Sequence, residues 1–193
     1  MKLALCLAAL TAFALPVSAE DLKSLYTQID LKKCRQTAKP DQQVFEGAWT
    51  CKGIAGYDVF LTAADAREMV SFGKSEKDNC AATKTFGGFN SAGKTIEWRM
   101  KNGQPVAAIL RWTVSVDPED STKTATWLVV SKLENGTSCP MHYVAGSAPK
   151  ANEAARKAAD AAEAFDCAKA KPGFEPADKP PNVSLEACSA QAQ

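Results

Sequence analysis

The segment 94–116, KTIEWRMKNGQPVAAILRWTVSV, decides the fold. It contains two strand-like runs, Lys94–Lys101 and Gln104–Val116, separated by the dipeptide Asn102-Gly103. Asn-Gly tolerates the positive φ angles of a type I′ turn, which joins tightly paired antiparallel strands. Alternation in the second run places its apolar residues on one face: Val106, Ala108, Leu110, Trp112, Val114 and Val116. The segment therefore predicts a β-hairpin with one buried face.

Two further strands extend this hairpin. The turn Asp117–Asp120 brings the chain back into the alternating run Lys123–Leu133. A second hairpin turn, Glu134–Thr137, leads into Ser138–Ala145. Consecutive strands joined by turns this short must be antiparallel neighbours. The middle of the chain therefore predicts a four-stranded meander.

Three shorter strands precede the meander. They lie between turn-forming residues and are Phe45–Cys51, Tyr57–Leu61 and Arg67–Phe72. Asp21–Lys33 is compatible with a short helix or a strand, Pro40-Asp41 marks a turn, and Gly73–Asn90 is typical of a loop. We expect an antiparallel sheet of about seven strands.

A helix follows the last strand. Ser147-Ala148-Pro149 has the hydroxyl and proline residues that begin helices, and the chain is rich in alanine from Lys150 to about Ala170. A stripe of alanines lets the helix axis lie close to a sheet. On the solvent side we expect ion pairs with i,i+4 spacing, Glu153 with Lys157 and Arg156 with Asp160.

These elements predict an α+β domain: a meander sheet covered by the alanine-rich helix. The expected boundaries are a signal peptide at residues 1–19, a single domain at 20–171 and a proline-rich tail at 172–193. We expect the tail to be extended or disordered except where Cys188 holds it.

The first 19 residues have the three parts of a secretory signal. Lys2 is followed by the apolar run Leu3–Leu15 and by the small residues of Pro16–Ala19. The run is shorter than the roughly 20 apolar residues that a membrane span needs, although an N-terminal anchor helix is the alternative. The short positive region and small-residue site are typical of bacteria. We expect cleavage after Ala19 and delivery to the periplasm or the medium.

The composition of the mature chain excludes several classes of partner. Removing 19 of the 193 residues leaves 174, enough for one domain with its own core. Losing Lys2 leaves 22 of the 23 basic residues against 22 acidic ones, so no strong field favours nucleic acid or an anionic membrane. No later stretch is apolar for the length of a membrane span. We expect no nucleic-acid partner and no membrane span after cleavage.

Six cysteines remain after the signal, which contains Cys6. An even number in an exported chain predicts disulfides, whereas a metal site would need CxxC or His-rich spacing, and His142 is the single histidine. Six cysteines allow 15 pairings. Chain order favours three pairs, the last by elimination: Cys34 with Cys51 across a turn, Cys139 with Cys167 from sheet to helix, and Cys80 with Cys188.

No catalytic, cofactor or metal site is predicted. A nucleophile needs a base within reach, and His142 lies on a strand, three residues from Cys139 and therefore on the opposite face. A carboxylate pair could hydrolyse glycosidic bonds, and the acidic residues on or near strands are Asp58, Asp65, Glu68 and Glu97. The glycines at 53–56 and 87–88 lack the strand-to-helix setting of a phosphate loop and are interpreted as turns.

Three residues are candidates for surface binding: Trp98, Arg111 and Tyr57. Trp112 and Trp127 share faces with valine and leucine and should belong to the core. Trp98 has charged neighbours on both sides, which suggests a surface position. Arg111 lies in an apolar strand, either on the solvated side of the sheet, which we favour, or as the buried partner of a carboxylate such as Asp160.

The segment WTCKGIAGY at 49–57, with Arg67 and the SFG run at 71–73, resembles uncharacterised small secreted proteins of Gram-negative bacteria. The resemblance extends through Ala107–Arg111 and the Asn152–Arg156 helix. It implies an exported protein but no activity and no functional residues. Cys80 and Cys188 are additions to that pattern.

These observations lead to a functional hypothesis. We expect an exported, non-enzymatic binding or interaction protein of the cell envelope, for example an inhibitor of a hydrolase, whose partner is an envelope or secreted protein and which needs no cofactor. The alternatives are an envelope glycan hydrolase with a carboxylate pair and a structural envelope component.

Overall fold

The computed structural model describes residues 22–41, 46–77, 79–178 and 181–188. Three predicted features lie outside these ranges: the signal peptide, Phe45 at the start of a predicted strand, and the end of the tail from residue 189. In the described part of the chain, no helix is long and apolar enough to cross a membrane.

The meander predicted from the segment 94–116 is confirmed, and it forms the centre of a larger sheet. Asn102 and Gly103 have φ angles of 51° and 78°, as the predicted turn type requires. The described sheet has six strands in the order β1-β6-β7-β8-β9-β10, in which only β10 is parallel to its neighbour. Its strands are β1 (Lys23–Gln28), β6 (Asn90–Lys101), β7 (Gln104–Ser115), β8 (Thr124–Glu134), β9 (Thr137–Ala145) and β10 (Gly173–Glu175).

The upstream strands form a separate sheet, which corrects the prediction of a single sheet of about seven strands. The second sheet has the antiparallel order β2-β3-β4-β5. Its strands are β2 (Arg35–Asp41), β3 (Glu46–Lys52), β4 (Asp58–Ala64) and β5 (Arg67–Gly73). The predicted turn at Pro40-Asp41 is wrong, because both residues lie in β2. Proline is tolerated there because β2 is an edge strand with an irregular register.

The two sheets pack face to face around an aromatic core. The rings of Phe72 and Trp98 meet edge to face with centroids 5.4 Å apart, which joins β5 to β6. Phe86 contacts the rings of Trp112 and Trp127, so both tryptophans belong to the core as predicted. Burial of these large side chains supplies the main attraction between the sheets.

Helix α1 (Ala151–Asp160) covers the opposite face of the six-stranded sheet and is shorter than predicted. Ala155 and Ala159 are 0% exposed and pack on an apolar cluster of the sheet, which includes Ala107, Ile109, Leu128, Val130 and Val144. A short 3-10 helix at Ala162–Ala164 follows, then Phe165 in an extended conformation and a turn at residues 167–169. Alanine favours a longer helix, but tertiary contacts override that preference. Lys132 Nζ donates to the carbonyl of Phe165 at 2.6 Å.

Ion pairs between the helix and the sheet replace those predicted within the helix. Arg156 Nε donates to Glu97 Oε1 at 2.6 Å, and Arg99 Nε donates to Asp160 Oδ1 at 2.7 Å. Arg99 Nη1 also donates to Ser24 Oγ at 2.6 Å. We call Glu97, Arg99, Arg156 and Asp160 the helix-face network.

Glu153 also departs from the prediction. It pairs with Lys150 at 3.1 Å rather than with Lys157. Its partner therefore lies one turn towards the helix N-terminus, and both predicted i,i+4 pairs are wrong.

All three expected disulfides are present: Cys34–Cys51, Cys80–Cys188 and Cys139–Cys167. Three disulfides indicate an oxidising, extracellular or periplasmic environment. The bridge between Cys80 and Cys188 spans 108 residues, and closing a loop of that length contributes roughly 4–5 kcal/mol in the chain-entropy description.

The described part of the tail is extended at Gly173–Glu175, which agrees with one of the two expected alternatives, but it is not held by Cys188 alone. Gly173–Glu175 pairs with β9, and Val183 forms a bridge with Phe86. Pro172 and Pro181 are buried. This segment therefore packs with the sheets in addition to its disulfide.

Candidate binding groove

A groove opens at one end of the aromatic core and encloses about 580 Å³. Four segments far apart in sequence line it: the beginning of β5, the loop before β6, the β7–β8 turn with its flanking strand ends, and the C-terminal segment. We call it the aromatic groove and define it by Arg67, Phe86, Phe89, Val116, Asp117 and Trp127.

Apolar side chains form both the floor and the rim of this groove. Phe86 and Trp127 are 2% and 9% exposed and provide the floor. Phe89 and Val116 are 48% and 60% exposed at the rim. Single exposed apolar residues are ordinary, but two beside an aromatic-floored cavity form the kind of surface that marks a binding site.

Arg67 adds a fixed positive group to the rim. Its Nε donates to the carbonyl of Gly87 at 3.1 Å, and its Nη1 pairs with Asp65. The guanidinium carbon lies 5.6 Å from the ring centroid of Phe89, within the range of a cation–π contact. These contacts orient the exposed ring of Phe89.

The loop that carries Phe89 is held by the buried side chain of Asn90. Its Nδ2 donates to the carbonyl of Gly88 at 2.9 Å, and its Oδ1 accepts from the backbone N–H of Glu68 at 3.1 Å. A Cβ on Gly88 would lie 2.3 Å from the carbonyl oxygen of Ser115, so the close approach of loop and strand requires glycine there. This agrees with the interpretation of Gly87-Gly88 as a turn.

The opposite rim, the β7–β8 turn, is also fixed by its own side chains. Asp117 Oδ2 accepts from Lys123 Nζ at 2.7 Å, and its Oδ1 accepts from the backbone N–H of Glu119 at 2.9 Å. The hydrogen bond from Lys123, with those from backbone N–H groups, lowers the pKa of Asp117. Both rims are therefore ordered before any partner arrives, which reduces the entropy that binding must remove.

The three predicted surface residues do not meet in this groove. Trp98 is 0% exposed, with Nε1 donating to Thr27 Oγ1 at 2.7 Å, so its predicted surface position is wrong. Tyr57 is 8% exposed, and its hydroxyl accepts from the backbone N–H of Gly136 at 3.3 Å, so this candidate is wrong as well.

Arg111 lies on the solvated side of the sheet, as we favoured. It is exposed, and its Nη2 donates to Asn152 Oδ1 at 3.0 Å. Asp160, its alternative partner, instead binds Arg99. Arg111 faces the helix layer, away from the aromatic groove.

Sequence reasoning missed Phe89, Val116 and Arg67. The sequence did contain a signal for Phe89. A turn at Gly87-Gly88 does not need a large aromatic residue after it, so another role for Phe89 could have been suspected. Val116 was counted as the last apolar residue of a strand, but β7 ends at Ser115 and leaves it exposed.

Each of the four carboxylates considered for hydrolysis is held by another group, and Asp65 is held by Arg67 at the rim of the groove. Among the residues that line the groove, Asp117 is the one carboxylate. Burial raises the pKa of Glu68, which the hydrogen bond from the backbone N–H of Ala92 partly offsets. The other three each pair with a cation: Asp58 with Lys52, Asp65 with Arg67, and Glu97 with Arg156.

No family model, no curated protein and no solved structure matches this chain. The residues of the groove therefore have to be interpreted from their own chemistry.

Proposed function

We propose that this chain is an exported, non-enzymatic binding protein of the bacterial cell envelope, and that it binds a protein partner through the aromatic groove. Export is supported by the predicted signal peptide, with its expected cleavage after Ala19, and by the disulfides, which suit the periplasm or the medium. The observation that carries the proposal is the exposure of Phe89 and Val116 over the floor formed by Trp127.

The chemistry of the groove suits a protein surface. Interface hot spots are enriched in tryptophan, tyrosine and arginine, and cluster around pockets that exclude water. Here Arg67 and Asp117 supply a polar rim of both signs around an apolar centre. The partner should insert one large apolar side chain towards Trp127, with polar groups at the edge of the contact.

The rigidity of the rims favours an inhibitor as the specific form of this function. Complexes of hydrolases with their inhibitors form with little movement of the interface backbone. Asn90 fixes the loop that carries Phe89, and the Cys80–Cys188 disulfide joins the chain before that loop to the tail that lines the same groove.

The alternative of a glycan hydrolase receives less support. A hydrolase needs two carboxylates about 5–9 Å apart beside the substrate. The aromatic groove offers a single lining carboxylate, and that one is already bound to Lys123. A structural envelope component would need no shaped groove and differs in its response to the experiment below.

Photo-crosslinking tests the proposal. The photoreactive benzoyl-phenylalanine is placed at Phe89 or Val116, and at Leu31 as a control, whose 43% exposure is close to that of Phe89. In periplasmic extract we expect both groove positions to capture the same protein and the control to capture none of it. Capture at all three positions alike, or at none, contradicts the proposal.

The affinity of the purified partner for variants of this protein then measures the contribution of the groove to binding. Phe89→Ala should weaken the complex by at least tenfold, whereas Leu31→Ala should change it by less than twofold, because a hot-spot side chain carries more than 1.4 kcal/mol. If the partner is a hydrolase, its inhibition should weaken in parallel. Equal effects of the two variants would place the interface elsewhere.

A further inference from the structure

A second cleft, on the far side of the six-stranded sheet, lies between the helix layer and the β9–β10 edge. It encloses about 700 Å³, within the usual range of small-molecule sites. We call it the alanine cleft and define it by Met141, His142, Lys157, Ala158, Phe165 and Gly173. It shares no lining residue with the aromatic groove.

A β-bulge aims two neighbouring side chains into this cleft. Val130 pairs with His142 and Ser131 with Pro140, so Met141 is an extra residue in β9. Met141 and His142 both line the cleft, whereas Pro140 lines a small void in the core. Regular alternation would place only one of the two on the helix side, and bulges commonly redirect side chains at sites of function.

Gly173 allows the ring of His142 to lie against β10. A Cβ at this position would be 2.6 Å from His142 Nδ1, so any side chain would push the ring aside. Gly173 and His142 are register partners in the parallel pairing of β10 with β9. The glycine therefore keeps the imidazole at the floor of the cleft.

The helix leaves the cleft open because its residues there are small. Ala155 and Ala159 are buried against the sheet, while the positions before them, Ala154 and Ala158, line the cleft. Leucine at either lining position would occupy the space. Ala154 and Ala158 are partly buried against the same apolar cluster as Ala155 and Ala159, and they also form the wall of the cleft.

Two donor groups in the cleft, the imidazole of His142 and the ammonium of Lys157, make no hydrogen bond or ion pair within the described residues. The carboxylate of Glu175 lines the cleft as well. Lys171, which also lines the cleft, pairs with Glu186 at 3.2 Å. Burial lowers the pKa of His142, an effect that the charge of Glu175 partly offsets.

We propose that the alanine cleft binds a small amphiphilic monocarboxylate. Its apolar body would lie on the alanine wall and Met141, and its carboxylate would accept hydrogen bonds from Lys157 and His142. An apolar wall with a few polar groups that fix orientation is the usual design of a small-molecule site. The free ammonium selects a carboxylate over an alcohol of the same length.

Decanoate and decanol, titrated into the full mature protein by calorimetry, test this assignment. We expect decanoate to saturate one site and to bind at least tenfold more tightly than decanol. Lys157→Gln should remove that preference, whereas Lys169→Gln, on an exposed lysine outside the cleft, should keep it. Equal affinities for the two probes, or the absence of saturable binding, overturn the proposal.

Filling the cleft provides an independent variant. Ala158→Leu should weaken decanoate at least tenfold, and Ala168→Leu, at an exposed position outside the cleft, should leave it within twofold. Near-UV circular dichroism of both variants should match that of the wild type, which checks that they keep the native fold. Unchanged binding by a folded Ala158→Leu variant would show that decanoate lies elsewhere and would contradict the site.

Discussion

The two faces of the six-stranded sheet are covered in different ways. One face buries Trp98, Trp112 and Trp127 against the four-stranded sheet. The opposite face holds helix α1 through alanine contacts and through the ion pairs of the helix-face network. Large side chains remove much more apolar surface from water than alanines do. The first attachment should therefore be strong and insensitive to salt. The second depends more on charge and on close fit, and it leaves room for an open cleft.

The largest effect should come from breaking the aromatic side of this comparison. Trp98→Ala removes a side chain that is 0% exposed, and large-to-small changes of this kind cost about 3–5 kcal/mol. Urea unfolding measures the loss. Phe89→Ala is the control and should change the free energy of unfolding by less than about 0.5 kcal/mol, because the ring is half-exposed. Similar losses in both variants would mean that Trp98 does not anchor the two sheets.

A smaller effect should follow from overpacking the helix side. Ala155→Leu forces a larger side chain between α1 and the sheet, and we expect a loss of about 1–3 kcal/mol. Ala158→Leu adds the same atoms on the cleft side and should be close to neutral. The measurement is the free energy of unfolding of each variant. Equal losses in the two would contradict the assignment of Ala155 as buried and Ala158 as lining the cleft.

The ion pairs of the helix face should contribute less again. A double-mutant cycle of Glu97→Gln and Arg156→Gln should give a coupling of about 1 kcal/mol at low salt, which falls in 1 M NaCl. The exposed pair Lys150–Glu153 is the matched control, with an expected coupling near zero. A coupling for Glu97 and Arg156 no larger than the control value would leave the helix attached by packing alone.

The smallest effects concern the pH dependence of stability. The ionisation of Glu97 and that of Glu68 should change the free energy of unfolding with opposite sign. At Glu97, burial acts to raise the pKa, but hydrogen bonds from Arg156 and Ser24 lower it overall from the usual value near 4.5. Its folded pKa lies below its unfolded pKa, so its contribution is present above about pH 4.5 and is lost as the pH falls through the folded pKa. Burial raises the pKa of Glu68, so its ionisation works against folding as the pH rises through 4.5.

Unfolding curves of two variants between about pH 6 and pH 3 separate these effects. Towards low pH, the advantage of the wild type over Glu97→Gln should shrink, while its stability relative to Glu68→Gln should rise. The same trend in both comparisons would contradict the opposite shifts of the two carboxyl groups.

The central part of the fold could be predicted because its signals are local. Asn102-Gly103 and the alternation around Leu110 define a hairpin without reference to the rest of the chain. The strand β2 gave no such signal, since an exposed edge strand needs no buried face and can contain Pro40. The division into two sheets depends on which faces pack together, and no periodicity encodes that.

The error at Trp98 has a specific cause. Its neighbours Glu97 and Arg99 point to the other face of β6, where they bind the helix. Charged neighbours on a strand therefore describe the opposite face and say nothing about the exposure of the residue between them. The aromatic groove was missed because Arg67, Phe89 and Asn182 meet only after folding.

The position of the C-terminal segment has a consequence for how the chain matures. Asn182 accepts a hydrogen bond from the backbone N–H of Gly87 and lines the groove, and Cys188 closes the ring begun at Cys80. A chain that is synthesised from its N-terminus can form its meander early, but this wall of the groove is added only when residues 181–188 follow. A product truncated before residue 181 would expose Phe86 and lack this wall. The groove is therefore present only in molecules that contain the C-terminal segment.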